Sequence, residues 1–226
     1  MRGLRAGAFG ALMLIGLGTT AHAEDFSSSR TAKKWKVTEY HGQGLRPGQS
    51  PAAVLAEGGI GMAFTTEPNT ALLTTTDRGY VGTLLGDLTG QTVFAELGIV
   101  NADTPTYIFY PDGCSTPANV RLYFRTKQKA LGESQYWWSN PTSISLAQLT
   151  LLGSTTFDVD LDPALWSDRA GHFGSDPGYT EAFEAAVSDV VEIGVSFGGG
   201  CHFAFGVGVS SGSATFQLTE LSVDGG

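Results

Sequence analysis

The sequence predicts an all-β protein, an antiparallel β-sandwich of jelly-roll-like topology with one short helix near residues 180–189. Three observations favour this fold. Short runs of β-prone residues recur about every ten residues, separated by Gly, Asn, Asp or Pro. Residues 119–125 alternate between apolar and polar side chains, which is the period of a strand with one buried face. A single segment, TEAFEAAVSD at 180–189, has a helical composition.

The best-defined element is a β-hairpin between residues 119 and 141. The side chains of its first strand that are predicted to face the core are Val120, Leu122 and Phe124. Those predicted to face outward are Arg121, Tyr123 and Arg125. The aromatic segment 135–139 (QYWWS) is the predicted partner strand, and Pro141 follows it. Trp137 and Trp138 must point to opposite faces because they are neighbours, and we place Trp137 on the outer face with Gln135.

Further short strands flank this hairpin in the sequence. The predicted strands cover residues 35–40, 60–65, 71–76, 79–85, 92–100, 107–110, 157–161, 190–197, 202–209 and 213–223. The last of them shifts its alternation near Thr219 and Glu220, which is typical of a β-bulge. No internal repeat or linker divides the chain, so residues 35–226 are predicted to form a single β-sandwich domain.

The N-terminal residues have the composition of a secretory signal peptide. Two arginines precede an apolar run, and Ala21-His22-Ala23 fits the small-residue pattern of a cleavage site. We expect residues 1–23 to be the signal, residues 24–34 to be a loose segment, and the mature protein to be secreted or periplasmic after cleavage near Ala23. An uncleaved anchor is the alternative, although the apolar run is short for a spanning helix. No lipidation or C-terminal anchor signal is present, so no membrane anchor is expected.

Net charge restricts the possible partners of the protein, and cysteine content indicates its redox environment. The formal net charge is −9 and there is no long basic run, which argues against nucleic acid or anionic membrane as a partner. The two cysteines, Cys114 and Cys201, lie in glycine-rich turns. An oxidising compartment favours a disulfide bond between them, and two free thiols are the alternative.

No catalytic residue is predicted. Two Gly-x-Ser-x-Gly patterns centre on Ser196 and Ser210, but a nucleophile elbow needs a strand-to-helix turn, whereas β-type runs follow both serines. No cofactor is expected, with calcium as the one open possibility. The weak calcium candidates are Asp158, Asp160 and Asp162, which alternate along one strand about 7 Å apart. The alternative is a solvated strand face.

The outer face of the hairpin is the predicted ligand-binding site. Its residues are Arg121, Tyr123, Arg125, Gln135 and Trp137. A Trp ring offers a rigid apolar plate, while guanidinium and amide groups can bind hydroxyls, so carbohydrate or a cell-surface glycan is the predicted partner. The alternative is that another layer covers this face, with the arginines stacked on the rings as structural contacts.

Three functions are therefore open. The first is a non-catalytic, exported glycan-binding module. The second is a structural or adhesive exported protein with no small ligand. The third is a glycoside-cleaving enzyme, which would need two carboxylates facing each other across a cleft.

Several short segments carry a resemblance to known families. They are residues 79–90 (GYVGTLLGDLTG), 136–141 (YWWSNP), 193–195 and 213–223 (SATFQLTELSV). In these segments the chain resembles the galactose-binding-like jelly rolls of many carbohydrate-binding modules and, more loosely, the laminin-type B domains of exported bacterial proteins. The resemblance implies a binding or matrix role, and it extends to exported proteins without an assigned role. Such modules often hold calcium through an acidic residue in the last strand, whereas Glu220 here stands out of phase with that position.

Overall fold

The computed structural model describes residues 22–23, 26, 29–48, 52–56, 58–79, 84–110 and 115–225. The strands of this part are β1 (His22–Ala23), β2 (Trp35–Tyr40), β3 (Leu45–Pro47), β4 (Ala53–Val54), β5 (Ile60–Ala63), β6 (Thr70–Thr75), β7 (Gln91–Phe109), β8 (Asn119–Thr126), β9 (Tyr136–Ser139), β10 (Ile144–Ser145), β11 (Ser154–Asp160), β12 (Trp166–Asp168), β13 (Val190–Gly198) and β14 (Val207–Gly225). Its α-helices are α1 (Ser29–Ala32), α2 (Leu146–Leu152) and α3 (Thr180–Val187). Two 3-10 segments cover Lys129–Gln135 and Pro163–Leu165.

The strands form two layers of one continuous antiparallel ladder, which confirms the predicted antiparallel β-sandwich. The first layer contains β11, the first half of β7, the second half of β14, and β5. The second layer follows the order β3-β2-β6-β13-β8-β9-β12. Strands β7 and β14 are each 19 residues long, and their pairing shifts register several times, which bends the ladder between the layers.

The main hydrophobic core lies between the two layers. Phe197 of β13 packs edge-on against Phe216 of β14, with ring centroids 4.8 Å apart. Phe64 contacts Phe197 in the same way at 5.5 Å. Perpendicular aromatic pairs of this kind add to the free energy of burying the rings, so these contacts join the layers directly.

The hairpin strand β8 has the facing that its alternation predicts. Val120, Leu122 and Phe124 are fully buried in the core. The predicted helix at 180–189 is also present as α3, which buries Phe183 and Val187. The strand follows from its alternation and the helix from its Ala- and Glu-rich composition, so both predictions need only local sequence.

Four segments differ from the sequence-based expectation. The two strands predicted at 92–100 and 107–110 are one bent strand, β7. Residues 202–206 form turns rather than the beginning of a strand. In 79–85, residues 80–83 lie outside the described part, and Leu84 and Leu85 form a bend rather than a strand. Helix α2 was not expected, because a seven-residue segment is too short for a clear helical period.

Parts of the N-terminal region lie within the described structure. Residues 1–21 of the predicted signal peptide lie outside the described part, whereas His22 and Ala23 pair with the end of β14. Within 24–34, which we expected to be loose, α1 forms and Phe26 is buried against Trp35 at 5.6 Å. None of the described helices is long and apolar enough to cross a membrane.

Candidate functional site

The two tryptophans of β9 have the opposite facing from the one predicted. In the hairpin, Trp138 lies opposite Tyr123, and Trp137 lies opposite Phe124. Directly opposite residues of an antiparallel pair share a face, so Trp137 faces the core and Trp138 faces outward. Trp137 is 0% exposed, and its Nε1 donates a hydrogen bond to the carbonyl oxygen of Ser134 at 2.7 Å. The expectation that Trp137 is exposed on the outer face is therefore wrong.

Gln135 is also displaced from the predicted face. It ends the 3-10 segment that connects β8 and β9, and its amide nitrogen donates to the carbonyl oxygen of Gln128 at 3.0 Å. The sequence shows that neighbouring residues of β9 alternate, but the path of this connection sets the register. A shift of one residue exchanges the two faces of the whole strand.

Arg121 is a structural residue of the outer face. It is 5% exposed, and its Nη1 donates to the carbonyl oxygens of Ser139 at 2.8 Å and Thr142 at 3.2 Å. Its guanidinium carbon lies 4.4 Å from the centre of the Phe203 ring. Burial lowers the pKa of Arg121 to about 10. For this arginine, the alternative of a covered face with a cation stacked on a ring is the one observed.

Arg125 and Tyr123 lie on the outer face as predicted. The Nε of Arg125 is 2.7 Å from the carboxylate of Glu192, which also accepts a hydrogen bond from Thr74. Burial acts to lower the pKa of Arg125, but the attraction and hydrogen bond of Glu192 outweigh it, so the pKa is raised. Burial raises the pKa of Tyr123. Arg125 is thus already paired, whereas Tyr123 forms part of a cleft.

The outer face of the second layer carries a cleft of about 420 Å³. Its lining residues are Tyr40, Gly44, Leu45, Leu72, Tyr123, Tyr136, Trp138, Arg169, Cys201, His202, Phe203, Ala204 and Phe205. This volume falls within the range of roughly 300–1,000 Å³ that is typical of small-molecule pockets. We refer to these residues as the aromatic cleft.

Two sets of stacked rings line the aromatic cleft. In one set, the ring of Phe205 lies between Tyr40, at 4.3 Å, and His202, at 4.0 Å, with interplanar angles of about 10°. In the other set, Tyr136 and Trp138 lie 6.4 Å apart at an angle of 24°. Rings held in stacks lose little further conformational freedom when a ligand binds, so the cleft presents pre-organised apolar plates.

Residues 199–206, which we call the cover loop, bring the rings of His202, Phe203 and Phe205 to the aromatic cleft. The backbone N–H of Gly206 donates to the carbonyl oxygen of Phe197 at 3.1 Å, which ties the loop to the end of β13. A Cβ at Gly198 would overlap the carbonyl oxygen of His202, so the loop lies directly against this glycine. Gly206 has a φ of +94°, which favours glycine over every other residue. The sequence FGGGCHF thus encodes a tight return over the sheet.

Four buried polar atoms at outer-face positions of β8, β9 and β13 have no hydrogen-bond partner in the described structure. They are the Oδ1 of Asn119, the Nε of Arg121, the Nε1 of Trp138 and the Oγ of Ser196. Ser196 lies directly opposite Arg121 in the β13–β8 pair. Ser196 is inside a strand and Ser210 lies inside β14, so neither serine occupies the strand-to-helix turn of a nucleophile elbow.

The charged group on the cleft wall is Arg169, whose side chain is 61% exposed. Its Nε is 3.5 Å from the carboxylate of Glu133, which is 59% exposed. An ion pair this open to solvent is weak, worth about 1 kcal/mol at most. Among the described residues that line the cleft there is no Asp or Glu.

Two of the three carboxylates predicted as weak calcium candidates bind other protein groups. Phe157 and Val159 are buried, as the predicted alternation requires. Asp160 accepts a hydrogen bond from Thr92, and Asp162 accepts one from the backbone N–H of Ala164 at the start of a 3-10 segment. In the part of the chain that the structure describes, no three His, Cys, Asp or Glu residues form a metal-binding group.

A polar cluster that sequence reasoning missed surrounds Asp168, which is 1% exposed. Its carboxylate accepts from the hydroxyl of Ser134 at 3.0 Å and lies 3.4 Å from Nδ1 of His172. The ring of His172 stacks on Tyr179 at 4.1 Å. Ser134 binds the aspartate rather than the histidine, so this is not the order of a serine hydrolase triad. The backbone N–H groups of Ala170 and His172 also bind Asp168, which makes it the organiser of a turn.

The predicted Cys114–Cys201 disulfide stays a prediction because Cys114 lies outside the described residues. Cys201 is in the cover loop and lines the aromatic cleft. No cysteine of the described part is a free thiol. A bridge from Cys201 would therefore anchor the loop that carries His202, Phe203 and Phe205.

Comparison with known proteins gives a distant structural likeness and no sequence relative. No family model matches the chain, and no curated protein matches it. A solved structure described as "xylan-binding module CBM15" is similar with a TM-score of 0.34 and 12% sequence identity, over 89% of this chain and 97% of that chain. The resemblance noted in the sequence thus remains an expectation, and the site is interpreted from its own geometry.

Proposed function

We propose that this protein is a non-catalytic glycan-binding module whose ligand lies in the aromatic cleft. The observation that carries the proposal is the pair of ring stacks, with Tyr40 and Phe205 in one and Tyr136 and Trp138 in the other. Pyranose rings have one or two faces made of C–H groups, which pack well on flat aromatic surfaces. Hydroxyls around the sugar edge remain free for water or for polar side chains.

The proposal replaces part of the binding set inferred from the sequence. Trp138 and Tyr136, rather than Trp137, are the stacking residues of β9, because they line the cleft. Tyr123 stays in the set. Arg121 and Arg125 have structural roles instead. Arg121 binds backbone carbonyls and packs on Phe203, and Arg125 pairs with Glu192.

The lining of the cleft favours binding over glycoside cleavage. Most glycoside hydrolases need two carboxylates, about 5–10 Å apart, on either side of the scissile bond. The described lining carries none, and its polar groups are phenols, an arginine and a histidine. We therefore expect affinity in the range typical of a few stacking residues, on the order of micromolar to millimolar, or about −8 to −4 kcal/mol.

The test is a glycan array and polysaccharide pull-down with the exported protein, followed by titration of any glycan retained. Tyr136→Ala should weaken binding about fivefold or more, since residues central to a binding site are worth about 1 kcal/mol or more. Tyr179→Ala is the matched control, because it makes the same change at a half-buried ring that packs on His172 rather than in the cleft. Circular dichroism should show both variants folded.

Two outcomes would contradict the proposal. Equal binding by wild type and Tyr136→Ala would exclude the aromatic cleft as the site. Retention of no glycan would favour the second function left open by the sequence, a structural or adhesive protein without a small ligand.

A further inference from the structure

The aromatic cleft differs in charge from the rest of the protein. The chain carries a formal net charge of −9, yet the charged and titratable side chains on the described cleft wall are Arg169 and His202 together with tyrosines. A guanidinium acts on ligand charges within about one Debye length, roughly 8–10 Å, so its effect is confined to the cleft and its rim. A cation placed at this position attracts an anionic ligand despite the acidic surface elsewhere.

The existing partner of Arg169 is a weak competitor. Glu133 lies 3.5 Å away, and both side chains are more than half exposed. Arginine binds carboxylates best through two parallel hydrogen bonds, whereas the observed contact joins one nitrogen and one oxygen. A ligand carboxylate in the cleft can therefore replace Glu133 with little loss.

Two buried hydrogen-bond donors of the described outer face, close to Phe203 of the cover loop, have no acceptor. The Nε of Arg121 and the Nε1 of Trp138 have no partner in the described structure, and neither group can accept a hydrogen bond. Both lie next to Phe203 of the cover loop, at 4.4 Å from the guanidinium and 6.1 Å from the indole. An ionised carboxylate is the sugar substituent that only accepts hydrogen bonds, so it complements donor groups of this kind.

We infer that the cleft prefers an acidic glycan, one whose sugar rings carry a carboxylate as uronic acids do, with Arg169 as the group that recognises the charge. This inference rests on the proposed function and names the ligand class for the same site. The rings of Tyr136 and Trp138 would hold the C–H faces, and Arg169 would hold the carboxylate.

The experiment compares uronate oligosaccharides with their methyl esters, which keep the sugar skeleton and remove the charge. Trigalacturonate and glucuronate-containing trisaccharides are titrated in low salt with wild type, Arg169→Gln, Glu133→Gln and Arg78→Gln. Arg78 is the charge-matched control, since it is exposed and lies outside the cleft lining. Circular dichroism checks that each variant is folded.

We expect wild type to bind the acids about twofold to fivefold more tightly than the esters, which corresponds to an exposed ion pair. Arg169→Gln should abolish this preference, and Arg78→Gln should keep it. Glu133→Gln should strengthen binding of the acids because it removes the competing carboxylate. The preference should also shrink as salt is raised.

The two ways of failing are distinguishable. Equal affinity for acids and esters, or a preference that survives Arg169→Gln, overturns the acidic-glycan inference while glycan binding itself stands. Binding of neither acids nor esters, together with a negative glycan array, overturns the proposed function.

Discussion

Replacement of Trp137 is the sharpest test of the hairpin register, because the structure assigns it a core role and denies it a binding role. The ring is 0% exposed and packs edge-on against Phe183 at 5.0 Å. Trp137→Ala should cost about 3–5 kcal/mol of unfolding free energy, which includes the cavity it leaves. For a chain of this length that corresponds to a fall in Tm of about 6–20 °C.

Two further variants separate the hydrogen bond of Trp137 from its packing and distinguish the roles of the two tryptophans. Trp137→Phe keeps most of the apolar ring but loses the hydrogen bond to the carbonyl oxygen of Ser134, so about 1–3 kcal/mol is expected. Trp138→Ala should cost less stability than Trp137→Ala, because its Nε1 has no hydrogen-bond partner to lose in the described structure and its ring, at 6% exposed, lies in the smaller outer cluster rather than in the main core. Trp138→Ala should instead weaken glycan binding.

Urea unfolding followed by far-ultraviolet circular dichroism measures the stability of each variant, and titration with a retained glycan measures binding. The reasoning would be refuted if the unfolding free energy of Trp137→Ala were within about 1 kcal/mol of wild type and the folded variant no longer bound the glycan. That pattern would place Trp137 on the outer face and shift the register of β9 by one residue.

Three other predictions concern the cover loop and the exported form. Gly198→Ala should destabilise the protein and weaken glycan binding, because the added Cβ overlaps the backbone of His202; stability and titration measurements check this, and unchanged binding would show that the loop does not shape the cleft. Titration of the denatured, unreduced protein should find no free thiol if Cys114 and Cys201 are bridged, and Cys201→Ser should cost up to about 4–5 kcal/mol in the chain-entropy model; two reactive thiols would reject the bridge. The protein exported by a bacterial host should begin at residue 24 in intact-mass measurements, and a mass that retains residues 1–23 would contradict cleavage near Ala23.

The parts of the fold that follow from the sequence are those set by local alternation. Strand β8 shows its buried face through Val120, Leu122 and Phe124, and a local period of two is enough to predict it. The opposite facing of Trp137 and Trp138 is equally local. Their assignment to the core or the outer face is not, because it depends on the number of residues that the 3-10 connection at Lys129–Gln135 inserts between two strands.

The candidate site could not be predicted from local sequence patterns for a second reason. Its rings come from β2, from β8 and β9, and from the cover loop, which are far apart in the chain. The loop sequence CHFAF alternates like a strand, so a period of two predicts a strand at 202–209. The neighbouring glycines are the usable signal for a turn, since three in succession at 198–200 permit the close backbone return that Gly198 makes against His202.

The structural role of Arg121 explains how a shallow strand face becomes a defined cleft. Its Nη1 donates to the carbonyl oxygens of Ser139, the last residue of β9, and of Thr142 just after it, while its guanidinium faces the ring of Phe203. One buried cation therefore ties the hairpin to the cover loop, and the ring stack of Phe205 with Tyr40 ties the same loop to β2. A loop held at both points keeps its rings in place before a ligand arrives, which lowers the conformational entropy lost on binding. Arg121 itself does not contact the ligand in this arrangement. Its removal should nevertheless weaken glycan binding, because Phe203 becomes more mobile.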